Sequence, residues 1–472
     1  MDPFDFRRHG HALVEWIADY FAHPERYPVL ARVAPGDVRN ALPDHAPESG
    51  EAFETIVSDF ERVIVPALTH WNHPGFMAYF SSSAPPAGVL AELLSAALNQ
   101  QAMLWRTSPA ATELEDVALG WLRRLLGLPD TFGGVIYDTA SISTLHALAA
   151  AREVAFPGVR EHGLAGGGTV YCSAQTHASV DKAVSTLGLG LSSLRRIPTD
   201  DQFRMRADLL RQAIDEDVAA GLRPVAVVAT IGTTATTSVD PIDAIATICE
   251  AHGIWLHVDA AYAGVAAMLP ECRPRMHGWE RADSIVINPH KWLFVPFDLS
   301  AFYCRRMDVI RRTFSIVPSF LETTDEARGA RNLMDTGIQL GRRFRALKLW
   351  IVLRHLGAEG IRARLAEHMR LARLFASWVD ADPRFERLAP VPFSVVCFRV
   401  RPADLGADAI DRLNQAIVDR VNAGGEIFVS YARLAGVVAI RLAIGHVATT
   451  EAHVARAWTL FQQHAAELHP RP

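Results

Sequence analysis

Short β-branched runs alternate with helix-like stretches through the middle of the chain, and this pattern constrains the fold more than any other feature. Strands separated by helices pair in parallel, so the alternation predicts an α/β fold with a largely parallel sheet and helices on both faces. Ligands of such sheets bind beyond the carboxyl ends of the strands. The strand candidates read GGVIYDT, TVYCSA, PVAVVATIG, GIWLHVD, DSIVINP and SAFYC.

The two ends of the chain follow other patterns. Residues 1–85 contain two amphipathic helix patterns, at Phe6–Phe21 and at about Ala52–Leu68, joined by a proline-rich linker. They predict a helical arm that packs on another surface. We expect residues 86–348 to form a large α/β domain and residues 349–472, which mix strands with helices, to form a small α+β domain.

Composition restricts the ligands. Half of the 472 residues are hydrophobic and the formal net charge is -5, so we expect neither nucleic acid nor a membrane as a partner. The five cysteines form no CxxC pair, which argues against a disulfide framework and against a zinc site. The sequence shows no secretory signal and no long apolar run, so we predict a cytoplasmic protein with a small-molecule substrate.

A lysine and an aspartate lie at the ends of two predicted strands. Lys291 follows the strand in DSIVINPHKW, where loss of solvation lowers the pKa of an amine and lets it attack a carbonyl. Asp259 ends the strand in GIWLHVDAAYAG, and a buried carboxylate needs a cationic partner such as a pyridinium nitrogen. Taken singly, each residue has a plainer interpretation, as a solvated surface lysine and as a helix N-cap.

Two further strand ends offer polar groups. Thr139, Ala140 and Ser141 lie between the strand GGVIYDT and an alanine-rich helix, where free backbone N–H groups and hydroxyls make a phosphate site. His177 follows the strand TVYCSA and precedes a helix, so its ring is placed to stack on a cofactor. Ordinary helix capping explains either motif when it is considered alone.

Together, these motifs resemble a known family. Eight segments are similar, in order and spacing, to those of the group II decarboxylases that depend on pyridoxal 5′-phosphate (PLP), and within them to the aromatic L-amino acid decarboxylases. The resemblance covers most of the chain and implies PLP fold type I, the fold of aspartate aminotransferase, with a mostly parallel seven-stranded sheet. The segments are HPGFMAYF, SPAATELE, GGVIYDTAS, THASVDKA, ATIGTT, WLHVDAAYAG, NPHKWLFVPFD and LGRRFRALKLW.

The resemblance also implies roles for individual residues. Lys291 is expected to bind PLP as a Schiff base, Asp259 to pair with the pyridine nitrogen, and His177 to stack on the ring. No metal site is expected. The remaining residues expected to bind the cofactor are Thr139, Ala140, Ser141, Thr234, Ala261, Asn288 and His290.

The substrate pocket of the family is apolar and aromatic, which suits an indole or phenyl ring. The corresponding residues here are Trp71, Tyr79, Phe80 and Met103. Packing in the core explains Trp71 and Phe80 as well. An acidic substrate would need an arginine, and none is apparent at these positions. We expect Arg342 and Arg343 to form structural ion pairs near the site.

The resemblance leaves two products open. Decarboxylation leaves a carbanion that a general acid must protonate. The family's mobile loop usually supplies a tyrosine, but here it reads TFSIVPSFLETTD, with Phe320 at that place. In relatives with phenylalanine, dioxygen reacts instead and yields an aldehyde, ammonia, CO2 and hydrogen peroxide. We predict decarboxylation of an aromatic L-amino acid to the amine and CO2, with oxidative deamination to an aromatic acetaldehyde as the close alternative. An offset loop, or a proton from His177 or water, would leave a plain decarboxylase.

Other functions use the same parts. An aminotransferase needs the same lysine, aspartate and phosphate turn, although the flanking segments resemble decarboxylases. A non-catalytic PLP-binding protein would not need Lys291, Asp259 and His177 together. The helical arm needs a surface to cover, and the family builds each active site at a subunit interface, so we expect a homodimer. The sequence does not rank tryptophan, 5-hydroxytryptophan, tyrosine, phenylalanine and dopa as substrates.

Overall fold

A seven-stranded sheet carries the strand ends that the sequence analysis selects. The structure is a computed structural model and describes residues 1–316, 325 and 329–470. The strands of this sheet are β1 (Gly133–Tyr137), β2 (Gly168–Ser173), β3 (Leu194–Ile197), β4 (Arg223–Thr230), β5 (Trp255–Asp259), β6 (Ser284–Ile287) and β7 (Ser300–Cys304).

The order across the sheet is β1-β7-β6-β5-β4-β2-β3. Strand β7 is antiparallel to β1 and β6, whereas β6, β5, β4, β2 and β3 pair in parallel. The predicted mostly parallel, seven-stranded α/β sheet is confirmed. Because the parallel strands share one direction, their carboxyl ends lie along one edge of the sheet.

Helices occupy most of the remaining chain. Proline stands in the first turn of α1, α4 and α5, defined below, where its missing N–H costs no hydrogen bond. No helix in the described ranges is long and apolar enough to cross a bilayer. The α-helices are α1 (Pro3–Ala22), α2 (Asp37–Ala41), α3 (Phe53–Asp59), α4 (Pro86–Leu98), α5 (Pro109–Leu126), α6 (Ala140–Ala155), α7 (Val159–His162), α8 (Ser179–Thr186), α9 (Ala207–Ala219), α10 (Ile242–His252), α11 (Met307–Phe314), α12 (Ala346–Ala381), α13 (Ala407–Gly424) and α14 (Glu451–Leu468).

Both faces of the large sheet are covered. Successive residues of a strand point to opposite faces, so Val227 of β4 packs in the core with α5, α9 and α10, whereas Val228 packs with α6, α8 and α11. This explains why the strands read as continuous apolar runs. The prediction of helices on both faces is confirmed.

A second sheet lies in the C-terminal part of the chain. Its strands are fully antiparallel in the order β10-β11-β9-β8, and α13, α14 and the second half of α12 pack on it. Helix α12 is interrupted at Gly357, whose φ of +64° and ψ of 166° are not helical. These strands are β8 (Phe385–Arg387), β9 (Val395–Val400), β10 (Ser430–Leu434) and β11 (Val437–Ala443).

The N-terminal region is helical but only partly as predicted. Helix α1 extends the predicted Phe6–Phe21 by a few residues and has no buried residue. The second pattern, Ala52–Leu68, is helical as predicted, but the helix type changes along it: α3 ends at Asp59 and continues as a π helix over Phe60–Ile64 and a 3-10 helix over Val65–Ala67. Pro66 removes a backbone donor at that point. The division at residues 85/86 and 348/349 stays a prediction.

Candidate active site

The predicted cofactor residues meet at the carboxyl edge of the large sheet. They lie at or just after the ends of four strands, β1, β4, β5 and β6, so the fold brings them together from distant parts of the sequence. They surround a cavity of about 210 Å³, here called the cofactor cavity. Its lining consists of Phe80, Thr139, Ala140, Ser141, His177, Thr230, Gly232, Thr234, Asp259, Ala261, Tyr262, Asn288, His290 and Lys291.

Lys291 is an amine held in a desolvated place. Burial lowers the pKa of its ammonium, the negative charge of Asp259 opposes this shift, and the positive charge of Arg441 adds to it. Its Nζ lies 5.1 Å from the centre of the Phe80 ring. The backbone N–H of Lys291 donates to the Asn288 carbonyl at 2.9 Å, which fixes the turn after β6. A lysine with a lowered pKa is a better nucleophile toward an aldehyde carbonyl.

Asp259 is a buried carboxylate that keeps acceptor capacity free. Only 7% of its surface is exposed, and one carboxylate oxygen accepts the Ala261 N–H at 3.1 Å. In the described residues it pairs with no arginine or lysine within salt-bridge distance. Such a carboxylate suits a cationic ring nitrogen, as the sequence analysis expects.

The lining of the cofactor cavity also offers hydrogen-bond donors. Thr139 is the N-cap of α6 but its side chain does not cap the helix, so the N–H groups at the start of α6 remain available. His290 Nδ1 accepts the Leu299 N–H at 2.9 Å, which leaves the proton of a neutral ring on Nε2. Burial lowers the pKa of His290 to about 3, so the ring is neutral at pH 7.

A buried polar atom near these donors also lacks a partner. Asn288 is 2% exposed, and its Oδ1 accepts no hydrogen bond from the described protein atoms. A helix N-terminus and a neutral imidazole offer N–H donors to a phosphate. A desolvated lysine suits the aldehyde of PLP, and a buried carboxylate suits its ring nitrogen.

His177 also lines the cofactor cavity. Its Nδ1 accepts the Ser179 N–H at 3.1 Å, so the neutral ring carries its proton on Nε2. Partial burial lowers the pKa of His177; the charge of Asp259 opposes this shift and that of Lys291 reinforces it. The ring is a neutral donor on the cavity wall at pH 7.

The sequence analysis missed three residues of the cofactor cavity. Thr230 ends β4, Tyr262 follows Asp259 in the chain, and Gly232 follows β4. Gly232 has φ +88°, and a Cβ added there would lie 2.6 Å from the Ala263 Cβ. The segment ATIGTT signals this close approach of two strand-end loops, because only glycine fits it.

A larger cavity of about 860 Å³, here called the substrate cavity, opens beside Lys291 and His177. Trp71 and Tyr79 stack at a ring distance of 6.0 Å, and Phe80 stacks on Tyr262 at 3.7 Å. Its lining consists of Trp71, Tyr79, Phe80, Ser82, Ala174, Gln175, Thr176, His177, Thr234, Ala235, His290, Lys291, Phe297, Ser430, Tyr431, Ala432 and Arg441.

Two predicted residues do not join this lining. Met103 packs instead against Leu104 and Met334, in a small separate cluster. The fold of the single chain therefore does not place it in the lining of the substrate cavity. Phe320 lies outside the described residues.

Three arginines bear on the predictions made for the substrate cavity and its surroundings. Arg342 pairs with Glu115 at 2.9 Å and Arg343 pairs with Glu92, so the prediction that both form ion pairs is confirmed. No arginine was apparent at the four assigned pocket positions, but Arg441 of β11 also lines the substrate cavity. Arg441 is more than 360 residues from Tyr79 in sequence, and only the packing of the small sheet brings them together.

The seven-stranded sheet and the residues at its carboxyl edge define a fold type I PLP enzyme. The family model of the pyridoxal-dependent decarboxylase conserved domain matches residues 35–401. Tyrosine decarboxylase 4 from Petroselinum crispum is 40% identical over 483 residues, which cover 99% of this chain and 94% of the relative. The chain therefore belongs to the pyridoxal-dependent decarboxylase family, and it is a PLP-dependent carboxy-lyase of the aromatic amino acid branch.

Relatives named as decarboxylases and relatives named as aldehyde synthases are equally similar to this chain. Phenylacetaldehyde synthase from Arabidopsis thaliana is 40% identical over 477 residues, covering 99% of this chain and 97% of the relative. The crystal structure of Oryza sativa TDC with PLP and tryptamine superposes with a TM-score of 0.96 at 34% identity and covers 99% of both chains. The predicted PLP cofactor is confirmed.

Proposed function

We propose that this chain decarboxylates an aromatic L-amino acid to the corresponding amine and CO2. The observation that carries the proposal is the aromatic substrate cavity, which opens beside Lys291 and His177 and is large enough for an indole or phenol. When bound, PLP withdraws electrons from the substrate α-carbon, which makes loss of CO2 favourable.

The protein's own residues supply orientation and charge. Asp259 would hold the ring nitrogen protonated, and the N-terminus of α6 with His290 would anchor the phosphate. Trp71, Tyr79 and Phe80 would grip the aromatic side chain, which fixes the direction of the carboxylate relative to the ring plane. His177 Nε2 would hold a proton on the wall next to the α-carbon.

A second product is supported by Phe320. Phenylalanine has no proton to give, and a relative of equal similarity is a phenylacetaldehyde synthase. The alternative reaction consumes one amino acid, one O2 and one water, and yields the aldehyde, CO2, ammonia and H2O2. The amino acid is oxidised and dioxygen is reduced to peroxide.

The test is an incubation of the PLP-loaded enzyme with a panel of aromatic amino acids in air, assayed for amine, aldehyde and H2O2 together. Amine without peroxide supports plain decarboxylation. Peroxide in step with aldehyde supports the oxidative route. Turnover that depends on an added keto acid would instead reveal an aminotransferase and overturn the proposal.

Replacing Phe320 with tyrosine tests the role of the loop. We expect Phe320→Tyr to raise the amine-to-aldehyde ratio about tenfold or more, because a phenol then competes with dioxygen by donating a proton. The measurement is product ratio by chromatography, with Phe314→Tyr as a control outside the loop position. An unchanged ratio would remove Phe320 from this role.

We also propose a cytoplasmic homodimer. Four leucines of α4 are each more than half exposed, and α1 carries the exposed Phe4 and Phe6. Apolar patches of this kind on a folded chain are covered by a partner, and a second copy is the simplest one. All five cysteines are free and buried, which suits a reducing compartment. Light scattering on the purified protein tests the dimer. The leucines are Leu90, Leu93, Leu94 and Leu98.

A further inference from the structure

Arg441 is the buried arginine of the substrate cavity. It is 3% exposed and lies on β11, in the small sheet. In the part of the chain that the structure describes, no carboxylate pairs with it, whereas the buried Arg342 pairs with Glu115. A buried cation without a counter-ion is costly, so its contacts must offset that cost locally.

The guanidinium is bound by main-chain oxygens and an aromatic face. Its Nε donates to the Ala235 carbonyl at 3.1 Å and its Nη1 donates to the Tyr79 carbonyl. Its carbon centre lies 4.6 Å from the centre of the Phe80 ring. The other face of Phe80 stacks on Tyr262, so the Phe80 ring is held between a cation and an aromatic ring.

These contacts join three chain segments at the substrate cavity. Tyr79 and Phe80 belong to the segment before α4, Ala235 follows the cofactor residue Thr234, and Arg441 belongs to β11. Ala235 also accepts from the Cys397 thiol at 3.2 Å. One side chain therefore sets the distance between the aromatic wall and the loop that carries Thr234.

Tyr79 needs such support. Its φ is +46°, which a tyrosine rarely adopts, and such a conformation persists only when neighbours hold it. The small sheet binds both polar groups of this residue, since Arg441 takes its carbonyl and the Ser430 hydroxyl accepts its N–H at 3.3 Å. The unusual backbone turns the Tyr79 ring toward Trp71 and the cavity.

The hydrogen bonds of Arg441 lie within the protein. Two of its three nitrogens donate to carbonyls, and the third, Nη2, is fully buried with no hydrogen-bond partner among the described protein atoms. We propose that Arg441 is a positioning residue that fixes Tyr79 and Phe80 as the aromatic wall of the substrate cavity, and that it does not bind the substrate carboxylate. The assignment of the wall to an aromatic side chain rests on the proposed function.

The proposal narrows the substrate class. A fixed cation behind Phe80 disfavours basic side chains by like-charge repulsion, and a wall of stacked rings favours neutral aromatic ones.

Arg441→Met distinguishes positioning of the aromatic wall from binding of the substrate carboxylate. The amine product allows this comparison because it has the ring of the substrate but no carboxylate. We expect the KM of the aromatic amino acid and the dissociation constant of its amine to rise together, by about tenfold, with kcat changed less. A rise for the amino acid with no change for the amine would make Arg441 a carboxylate ligand. No change in either constant would remove it from the wall.

Arg433→Met on the same hairpin is the control, since Arg433 is exposed and pairs with Asp411 on the surface. If Arg441→Met does not fold, Ser430→Ala carries the test by removing the acceptor of the Tyr79 N–H. We expect a two- to threefold rise in both constants, about a third of the Arg441→Met effect. Unchanged constants in Ser430→Ala would then overturn the positioning role.

Binding of the amine is measured by calorimetry and does not require turnover. If the wild-type enzyme bound the amine but decarboxylated no aromatic amino acid, the proposed function would fail while the wall remained testable. If the wild type were active and Arg441→Met bound the amine as tightly as the wild type, the positioning role alone would fail.

Discussion

The cofactor cavity and the substrate cavity have five lining residues in common but are built in different ways; the shared residues are Phe80, His177, Thr234, His290 and Lys291. The first, of about 210 Å³, takes most of its residues from the ends of strands in one sheet. The second, of about 860 Å³, adds residues from the segment before α4, from Phe297, and from the hairpin of β10 and β11. The chemistry of the family is thus fixed by one sheet, while substrate choice depends on how three separate segments pack.

This contrast implies different mutational signatures. Changes in the cofactor cavity are expected to reduce turnover of every substrate alike, whereas changes in the substrate cavity, such as Arg441→Met, are expected to alter binding of the ring.

The largest effect is expected for Lys291→Ala. Loss of the amine removes the covalent link to PLP, so kcat should fall by about 10³-fold or more for every amino acid in the panel. The check is kcat with each substrate, together with the loss of visible absorbance from the lysine-bound cofactor. A substrate-dependent loss would break the distinction between the two cavities. Lys182→Ala, on α8, serves as the control.

Gly232→Ala should have the next largest effect. The new Cβ would meet the Ala263 Cβ at 2.6 Å, and φ is +88°, so we expect a loss of roughly 1–3 kcal/mol in unfolding free energy and weaker PLP binding. Gly221→Ala is the matched control, because Gly221 has φ +76° but nothing within 4 Å of an added Cβ. Equal losses in the two variants would show that backbone strain, and not the close approach of the loops, explains the glycine.

The smallest effect concerns pH. Burial lowers the pKa of His290 to about 3, below the value of about 6.5 in an unfolded chain. Between these values the unfolded chain binds the proton and the folded chain does not, so stability is lost as the pH falls from about 6.5 toward 3. At pH 5 the neutral His290 is expected to lower the unfolding free energy by about 2 kcal/mol.

Replacing this histidine should flatten the pH dependence. In His290→Gln, the loss of unfolding free energy between pH 7 and pH 5 should shrink by about that amount, as measured by urea unfolding at each pH. An unchanged difference between the two pH values would show that His290 is not held neutral. His162→Gln, at an exposed site, is the comparison.

Residues of the cofactor cavity could be predicted from sequence because each stands next to a strand that is readable by itself. Asp259 and Thr139 border apolar strands, and the rule for strand ends of parallel sheets then places them together. The short strands β3 and β8 could not be identified from the sequence, for the opposite reason. β3 reads LRRI and β8 reads FER, with charged residues that hide a strand pattern of only three or four residues.

Tertiary packing decides which residues line the substrate cavity, and the sequence does not show this packing. No local pattern connects Arg441 with Tyr79, because a buried arginine in an apolar strand reads like any charged residue of a half-exposed strand. Met103 shows the reverse case, since the resemblance assigns it to the substrate pocket, but it packs with Leu104 and Met334 outside the cavity lining. The carboxyl-terminal hairpin could be predicted as strands, but not which cavity it would close.

The most direct test of the account is release of CO2 from carboxyl-labelled amino acids by the PLP-loaded enzyme. We expect labelled CO2 from at least one of tyrosine, phenylalanine, tryptophan or dopa, in a one-to-one ratio with the sum of amine and aldehyde, and none from glutamate or histidine. Labelled CO2 from glutamate alone, or none from any aromatic amino acid, would contradict the assignment of this chain to aromatic decarboxylation.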